Sequence, residues 1–218
     1  MNSSADTSEF SIQRQRMIDS QLRSRGVTNV RVLEAMSRVP RHVFVPEHYR
    51  DHSYEDHPLP IGQEQTISQP YIVALMLAAL NLAPSDRVLE VGTGSGYVTA
   101  LLAELTAQVF SVERHPALAN AARELLAGMG YFNVKVIVGD GSLGFREQAP
   151  YDAIIVSATA ERLPQALMEQ LAEGGRMIIP VGADDSQQLQ LIFMEGGQPR
   201  ISLRELCRFV PLVSGERS

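Results

Sequence analysis

The spacing of apolar residues divides the chain into a helical N-terminal part and a longer part in which strands and helices alternate. Between residues 13 and 38, apolar side chains recur every three or four positions, as on an amphipathic helix. Gly26 divides this stretch into two predicted helices. Four prolines between residues 40 and 60 exclude long regular structure there, and a third helix is predicted over residues 72–82, before Pro84.

The remainder of the chain consists of short apolar runs separated by helical patterns. Five runs predict strands, over residues 87–91, 108–113, 134–140, 151–156 and 175–182. Helices are predicted over residues 97–105, from residue 116 to about 128, and from about Pro164. The segments "LQLIFME" (189–195) and "LRELCRFVPL" (203–212) predict an antiparallel pair, joined by the turn "GGQP".

Alternation of this kind is typical of a parallel sheet with helices on both faces. The predicted fold class is therefore α/β: a doubly wound, mostly parallel, seven-stranded sheet with an N-terminal helical cap and a C-terminal antiparallel strand pair. We expect a flexible tail over residues 1–12, the helical cap over residues 13–84 and the sheet domain over residues 85–213.

Composition and charge exclude several classes of protein. The chain is 44% apolar and 20% charged, as globular proteins are, and its formal charge of −6 does not favour a nucleic-acid partner. The single cysteine, Cys207, excludes an internal disulfide and a thiolate metal cluster, and its apolar surroundings indicate packing. No apolar run reaches the ~20 residues of a membrane-spanning helix, and the polar N-terminus lacks the apolar core of a signal peptide. We expect a cytoplasmic monomer with no membrane partner.

A glycine-rich turn follows the first predicted strand of the sheet domain. The segment "VLEVGTGSGY" places Gly92, Gly94 and Gly96 between a strand and a helix, where α/β sheets bind ligands. The pattern alone also fits a simple strand-to-helix turn. A dinucleotide fingerprint has a third glycine where this chain has Tyr97.

Acidic residues near three successive strand ends narrow the choice of ligand. Glu90, two residues before the turn, would repel a pyrophosphate and suits a positively charged ligand such as S-adenosylmethionine. Glu113 ends the second strand, where a carboxylate can accept both ribose hydroxyls. Asp140, in "GDG", is expected to accept from the adenine amino group, or else to serve an Asp-Gly turn. The three acids together predict an S-adenosylmethionine pocket.

Five segments resemble the protein-L-isoaspartate (D-aspartate) O-methyltransferase family. They are "VLEAMSRVPRHVFVP" (32–46), "PLPIGQEQTISQPYIVALM" (58–76), "VLEVGTGSGY" (88–97), "GDGSLGFREQAPYDAI" (139–154) and "RFVPLV" (208–213). The resemblance implies a Rossmann-like, class I S-adenosylmethionine-dependent methyltransferase. It would methylate the free carboxylate of L-isoaspartyl and D-aspartyl residues in damaged proteins, release S-adenosylhomocysteine and begin repair through a succinimide.

The resemblance also implies roles for individual residues. Those expected to bind the cofactor are Glu90, Gly92, Thr93, Gly94, Ser95, Gly96, Glu113, Asp140 and Gly141. Those expected at the substrate are the catalytic residues Ser68 and Thr66, with Gln65, Ile67, Val210, Pro211 and Leu212. A simpler alternative for Ser68 is an N-cap that satisfies free amides at the start of the third helix. No general base is expected, because a carboxylate with a pKa near ~4 is already ionised.

Some features leave other interpretations open. The loop "SATAERLP" (157–164) and Glu64 depart from the family pattern and put peptide preference in doubt. Four histidines fall between residues 42 and 57, and His48 and His52 have the i, i+4 spacing of a metal pair, although surface histidines are the simpler interpretation. The alternative functions are a carboxyl methyltransferase with a different substrate and a non-catalytic S-adenosylmethionine-binding module.

Overall fold

The computed structural model describes residues 8–183, 186–213 and 215. The helices are α1 (Ser8–Arg16), α2 (Val30–Arg38), α3 (Pro70–Leu80), α4 (Tyr97–Leu105), α5 (Pro116–Gly128) and the short α6 (Gln165–Met168). The strands are β1 (Leu59–Gly62), β2 (Gln65–Ile67), β3 (Arg87–Val91), β4 (Gln108–Glu113), β5 (Val134–Val138), β6 (Tyr151–Val156), β7 (Leu171–Val181), β8 (Gln187–Glu195) and β9 (Gln198–Cys207).

The main sheet has seven strands in the order β5–β4–β3–β6–β7–β8–β9. The pairs from β5 to β7 are parallel, whereas β8 and β9 are antiparallel. This arrangement confirms the predicted doubly wound sheet with a closing antiparallel pair. The chain builds one half of the sheet from β3 to β5 and then returns to place β6 on the other side of β3. Sheets of this topology bind ligands at the carboxyl ends of the strands beside such a reversal.

Helix α3 joins the helical cap to the sheet. It contacts α2 and β7, and side chains such as Ala74, Leu77 and Leu80 are fully buried. Pro70 opens the helix, which ends at Leu80 because Asn81 takes a left-handed conformation with φ of 46°, two residues before the predicted end. Although α3 is apolar, no helix among the described residues combines the length and apolar character needed to cross a membrane.

The N-terminal helix is longer than the sequence predicted. Helix α1 begins at Ser8 and continues through a π-helical segment (Met17–Leu22), so residues 8–12 do not belong to the predicted tail. Phe10 stacks on the buried ring of His42 with ring centroids 4.1 Å apart, which fixes this first turn against the cap. The rest of the predicted tail, residues 1–7, lies outside the described residues.

The last strand lies earlier in the chain than predicted. Gly196 and Gly197, both with positive φ, form a tight turn, so pairing with β8 resumes at once with Glu195 opposite Gln198. Strand β9 ends at Cys207, and residues 208–212, predicted to be strand, lie outside it, with an isolated parallel bridge between Pro211 and Thr159. Cys207 is half-buried at the end of β9, and burial raises the pKa of its thiol to about 11.

A small hairpin was not predicted. Strands β1 and β2 pair antiparallel outside the main sheet, with Leu59 opposite Ile67. Gln63 and Glu64 form the turn, and both have positive φ, 53° and 58°. We call this hairpin together with Ser68 the flap, residues 59–68, because it covers one side of the cleft described next.

Candidate active site

A cleft lies at the carboxyl ends of β3 and β4. It holds about 800 Å³, including the part that is open to solvent. The structure brings thirteen of the predicted site residues to its walls: Gln65, Thr66, Ile67, Ser68, Gly92, Thr93, Gly94, Ser95, Glu113, Gly141, Val210, Pro211 and Leu212. The flap, the glycine turn and the segment after β9 therefore face one space, although they are far apart in the chain.

The glycine turn forms one wall of the cleft. Gly94 lies at the tip of the turn with φ of 54°, and its N–H donates to Oε2 of Glu113 at 2.8 Å. Gly96, with φ of 89°, does not line the cleft. A Cβ at Gly96 would meet Ala122 of α5 at 3.3 Å, so this glycine allows α4 and α5 to pack closely.

Glu113 is the acidic residue that faces the cleft. It is the last residue of β4 and is only 5% exposed. Oε2 accepts from the Gly94 N–H and Oε1 accepts from the N–H of His115 at 2.9 Å. Each carboxylate oxygen has a second lone pair, so Glu113 can still accept two hydroxyl groups from a ligand.

Glu90 lies beneath the cleft and does not line it. Its Oε2 accepts from the hydroxyls of Thr99 at 2.5 Å and Ser111 at 2.6 Å, while Oε1 has no partner among the described residues. Burial raises the pKa of Glu90 to about 8, against the opposing effect of these hydrogen bonds. Its link to the cleft is indirect: the Ser111 hydroxyl is 2.5 Å from that of Thr93, which lines the cleft.

Asp140 shapes the loop after β5 and does not line the cleft. Its Oδ1 accepts from the N–H and the hydroxyl of Ser142, which fits the alternative role in an Asp-Gly turn. Its Oδ2 accepts from the N–H of Gly215 at 2.7 Å. These hydrogen bonds lower the pKa of Asp140, although its partial burial acts in the opposite direction. The next residue, Gly141, does reach the cleft.

Ser68 is not the cap of α3. The N-cap residue is Gln69, and Oδ1 of Asp56 accepts from the N–H of Tyr71 at 3.2 Å. Asp56 also holds Gln69, whose Nε2 donates to Oδ2 at 2.8 Å. The Ser68 hydroxyl makes no hydrogen bond within the described part of the chain, and Ser68 lines the cleft.

The segment after β9, residues 208–213, closes the opposite side of the cleft. Thr159 binds it on both sides: its N–H donates to Val210 O at 2.8 Å, and its carbonyl accepts from Leu212 N at 2.7 Å. Gln187 holds Phe209 through both main-chain groups. The 157–164 loop that departs from the family pattern therefore supports this segment through Thr159. Its exposed Glu161 lies in a second hollow behind the segment.

Nine lining residues were missed by the sequence analysis: Val91, Tyr97, Val98, Val112, Arg114, His115, Ser157, Ala158 and Val213. Ser157 follows directly after β6, so the strand-end rule that selected Glu113 could also have selected it. Arg114 and His115 follow Glu113 in the chain and could have been found in the same way. Nothing in the sequence marks Val91, Val112 and Tyr97 as lining residues, because apolar residues next to a turn are expected to belong to the hydrophobic core.

The histidines near the cap have separate roles. His42 is buried against Phe10, and its Nδ1 is 2.9 Å from the Tyr54 hydroxyl. His52 and His57 both bind Glu55 at 2.8 Å. Within the described residues, no three His, Cys, Asp or Glu side chains are arranged to hold a metal ion.

The doubly wound sheet, the glycine turn and the strand-end carboxylate define a Rossmann-like methyltransferase fold. A sequence model of the family described as protein-L-isoaspartate (D-aspartate) O-methyltransferase matches residues 12–217. The chain is 52% identical over 216 residues to a protein-L-isoaspartate O-methyltransferase of Koribacter versatilis, covering 99% of this chain and 97% of the relative. It is 54% identical over 213 residues to that of Syntrophus aciditrophicus, covering 94% and 95%. The chain belongs to this family.

A solved structure agrees with the assignment. A Plasmodium falciparum protein described as a protein-L-isoaspartate O-methyltransferase, in complex with S-adenosyl-L-homocysteine, superposes with a TM-score of 0.81 at 30% identity. The match covers 92% of this chain and 98% of that one. The likeness therefore extends well beyond the sheet domain and includes most of the chain.

Proposed function

We propose that this chain transfers the methyl group of S-adenosylmethionine to the free carboxylate of L-isoaspartyl and D-aspartyl residues in damaged proteins. The observation that carries the proposal is that the Ser68 hydroxyl and the Glu113 carboxylate line one cleft, beside the glycine turn. A hydroxyl-bearing flap thus faces the place where a nucleoside ligand would lie. Methylation of this carboxylate makes a methyl ester. A main-chain nitrogen then attacks the ester carbonyl, methanol leaves, and the succinimide that forms begins repair.

The cleft suits S-adenosylmethionine by the chemistry of its lining. Glu113 offers acceptors for two ribose hydroxyls, and the backbone of the glycine turn permits close approach. When bound, the cofactor supplies a methyl group on a positively charged sulfur. We assign direct cofactor contact to Gly92, Thr93, Gly94, Ser95, Glu113 and Gly141.

Three of the residues expected to bind the cofactor support it from outside the cleft. Glu90 acts through Ser111 and Thr93, and Gly96 acts through the packing of α4 against α5. Oδ2 of Asp140 accepts one hydrogen bond, from the N–H of Gly215, so it keeps a lone pair for the adenine amino group. Its side chain also caps the turn at residues 141–143.

The flap and the segment after β9 hold the substrate. We assign orientation of the isoaspartyl carboxylate to the hydroxyls of Ser68 and Thr66, beside Gln65 and Ile67. Val210, Pro211 and Leu212 form the facing wall, where the main-chain groups that Thr159 does not bind can pair with the substrate peptide.

The residues of the cleft contribute position and exclusion of water. The substrate carboxylate is ionised at neutral pH and needs no base. Alignment of the oxygen, methyl carbon and sulfur at contact distance is worth up to ~7–11 kcal/mol of the barrier. The flap and the segment after β9 keep water out, which favours the neutralisation of two opposite charges as the methyl group moves.

One assay tests the proposal against its alternatives. Labelled S-adenosylmethionine is offered with an isoaspartyl peptide and with the same peptide carrying normal aspartate. Transfer to the isoaspartyl peptide alone is expected. Transfer to neither, together with micromolar cofactor binding, would favour a different carboxylate substrate or a non-catalytic binding module. We further propose that the protein acts as a cytoplasmic monomer without nucleic-acid or membrane partners, which gel filtration and cell fractionation would test.

A further inference from the structure

A buried arginine lies behind the flap and belongs to no wall of the cleft. Arg41 is 0% exposed, in the short 3-10 turn Arg41–Phe44 that follows α2. Burial lowers the pKa of Arg41 to about 10, so the guanidinium remains charged at neutral pH. No carboxylate makes a salt bridge with it among the described residues.

The guanidinium joins three segments that meet at the flap. Its Nη2 donates to the carbonyl of Ser68 at 2.8 Å, and its Nε donates to the carbonyl of Ser53 at 2.7 Å. Its central carbon lies 5.0 Å from the ring centroid of Tyr97. Tyr97 lines the cleft and begins α4 directly after the glycine turn. One side chain therefore connects the end of the flap to the floor of the cleft.

Stability alone gives a poor account of this arrangement. A buried charge without a salt bridge costs several kcal/mol of desolvation, which the charge of Asp56 offsets only in part, and well-packed apolar residues are often as stable. Nη1 of Arg41 is buried and has no acceptor in the described part of the chain, which adds to the cost. The planar fork of an arginine does, however, hold two carbonyls at fixed directions, which an apolar residue or a lysine cannot do.

We propose that Arg41 is a positioning residue for methyl transfer: by fixing the Ser68 carbonyl against the Tyr97 floor, it sets the direction of the Ser68 hydroxyl in the cleft. The proposal rests on the proposed function, because Ser68 has this role only if the flap binds the substrate carboxylate. Apart from its carbonyl contact with Arg41, Ser68 makes no hydrogen bond among the described residues. The amide at the start of α3 is bound by Asp56 and not by Ser68. The Arg41 contact is thus the hydrogen bond that holds Ser68 itself.

The test compares Arg41→Met with Arg31→Met. Arg31, in α2, also donates to two main-chain carbonyls, those of Leu82 just after α3 and Leu105 at the end of α4, and neither belongs to the flap. Each variant takes the donor away from two main-chain carbonyls, so any general loss of stability from this cause is expected in both. We expect Arg41→Met to lose kcat by tenfold or more with an isoaspartyl peptide, while its Kd for S-adenosylhomocysteine stays within threefold. Arg31→Met should keep kcat within twofold.

A double-mutant cycle with Ser68→Ala separates positioning from a general structural role. If Arg41 acts through Ser68, Arg41→Met should reduce kcat by less than threefold in the Ser68→Ala background. Arg41→Lys keeps the charge but is expected to reach only one carbonyl, so its kcat should be intermediate. This variant replaces Arg41→Met in the test if Arg41→Met does not fold. Three results would overturn the inference. The first is a normal kcat in Arg41→Met or Arg41→Lys, and the second is an equal loss of kcat in Arg31→Met and Arg41→Met. The third is a full tenfold effect of Arg41→Met on kcat in the Ser68→Ala background. An inactive wild-type protein would instead reject the proposed function, and this inference with it.

Discussion

Asp56 lies at the amino end of α3, where its Oδ1 accepts a hydrogen bond from the N–H of Tyr71 at 3.2 Å. An acidic group at a helix start satisfies free amides and meets the positive end of the helix dipole. Arg25 and Gln69 hold the second oxygen, so the carboxylate is fixed in place. Because Asp56 caps α3, the helix does not need the Ser68 hydroxyl as a cap, and this hydroxyl remains available in the cleft.

Ser68→Ala should separate catalysis from stability. Because Asp56 caps the helix, we expect the free energy of unfolding to change by less than ~0.5 kcal/mol. Turnover with an isoaspartyl peptide should fall by tenfold or more, while the affinity for the cofactor is kept. Urea unfolding, calorimetry and steady-state kinetics measure the three quantities.

The matched control is Asp56→Ala. It removes the cap and should cost about 1 kcal/mol of stability in the same urea titration. If Ser68→Ala were instead the destabilising variant and kept its turnover, Ser68 would be a cap after all, and the assignment of Ser68 to the substrate would be wrong.

Glu113→Ala should weaken cofactor binding. The variant loses the acceptors expected for the ribose hydroxyls and the support of the Gly94 N–H. Hydrogen bonds to a charged group are worth about 1.5–3 kcal/mol, so we expect at least a tenfold rise in the Kd for S-adenosylhomocysteine. Glu124→Ala, which removes the same charge from an exposed site on α5, is the control and should leave the Kd within twofold. Equal affinities in wild type and Glu113→Ala would place the ribose elsewhere.

Glu64→Gly should stabilise the flap. Glu64 has φ of 58° in the β1–β2 turn, a conformation that costs a residue with a Cβ about 1 kcal/mol relative to glycine. Part of this gain is lost because glycine is more flexible in the unfolded chain. We expect a higher urea midpoint for Glu64→Gly. Glu64→Ala keeps the Cβ and removes only the charge, so an equal gain in both variants would attribute the effect to charge.

The buried Glu90 should make stability depend on pH. Its pKa in the folded protein, about 8, lies above the ordinary value of 4.5, so the folded state holds the proton more tightly than the unfolded state. Its contribution is therefore present below pH 4.5 and is lost as the pH rises toward 8. Glutamine does not titrate, so Glu90→Gln should not lose stability from this cause as the pH rises. The stability of the variant relative to wild type should rise between pH 5 and 8, by at most about 1.4 kcal/mol per pH unit.

Urea titrations at several pH values check this prediction. Near-ultraviolet circular dichroism at pH 5 would establish that the variant keeps the native packing. Parallel stability profiles for wild type and Glu90→Gln would show that Glu90 keeps its charge in the folded protein, through contacts that the structure does not describe.

Much of the sheet could be predicted from local patterns, whereas the cleft could not be predicted completely. Strands β3, β4 and β6 have their predicted limits because each carries apolar residues on both faces, as strands buried on both faces do. Glu113 and Glu90 show that the direction of a side chain at a strand end could not be predicted in this way. Glu113 ends its strand and faces the cleft, but Glu90 lies one residue before the end of β3 and points into the layer under α4, where Thr99 binds it. Sequence distance from the turn did not distinguish these directions.

The flap and its supports required the three-dimensional structure. The cap of α3 comes from Asp56, fifteen residues before Tyr71, so no local pattern could decide between the two roles of Ser68. The two hydrogen bonds between Thr159 and residues 210–212 join segments some fifty residues apart in the chain. Non-local contacts of this kind leave no periodic signal in the sequence.

A crystal structure with S-adenosylhomocysteine tests the central claim most directly. We predict that the ribose hydroxyls donate to Glu113, that the ligand passes the glycine turn, and that its sulfur faces the hydroxyls of Thr66 and Ser68. Binding outside this cleft, or a sulfur directed away from the flap, would contradict the account.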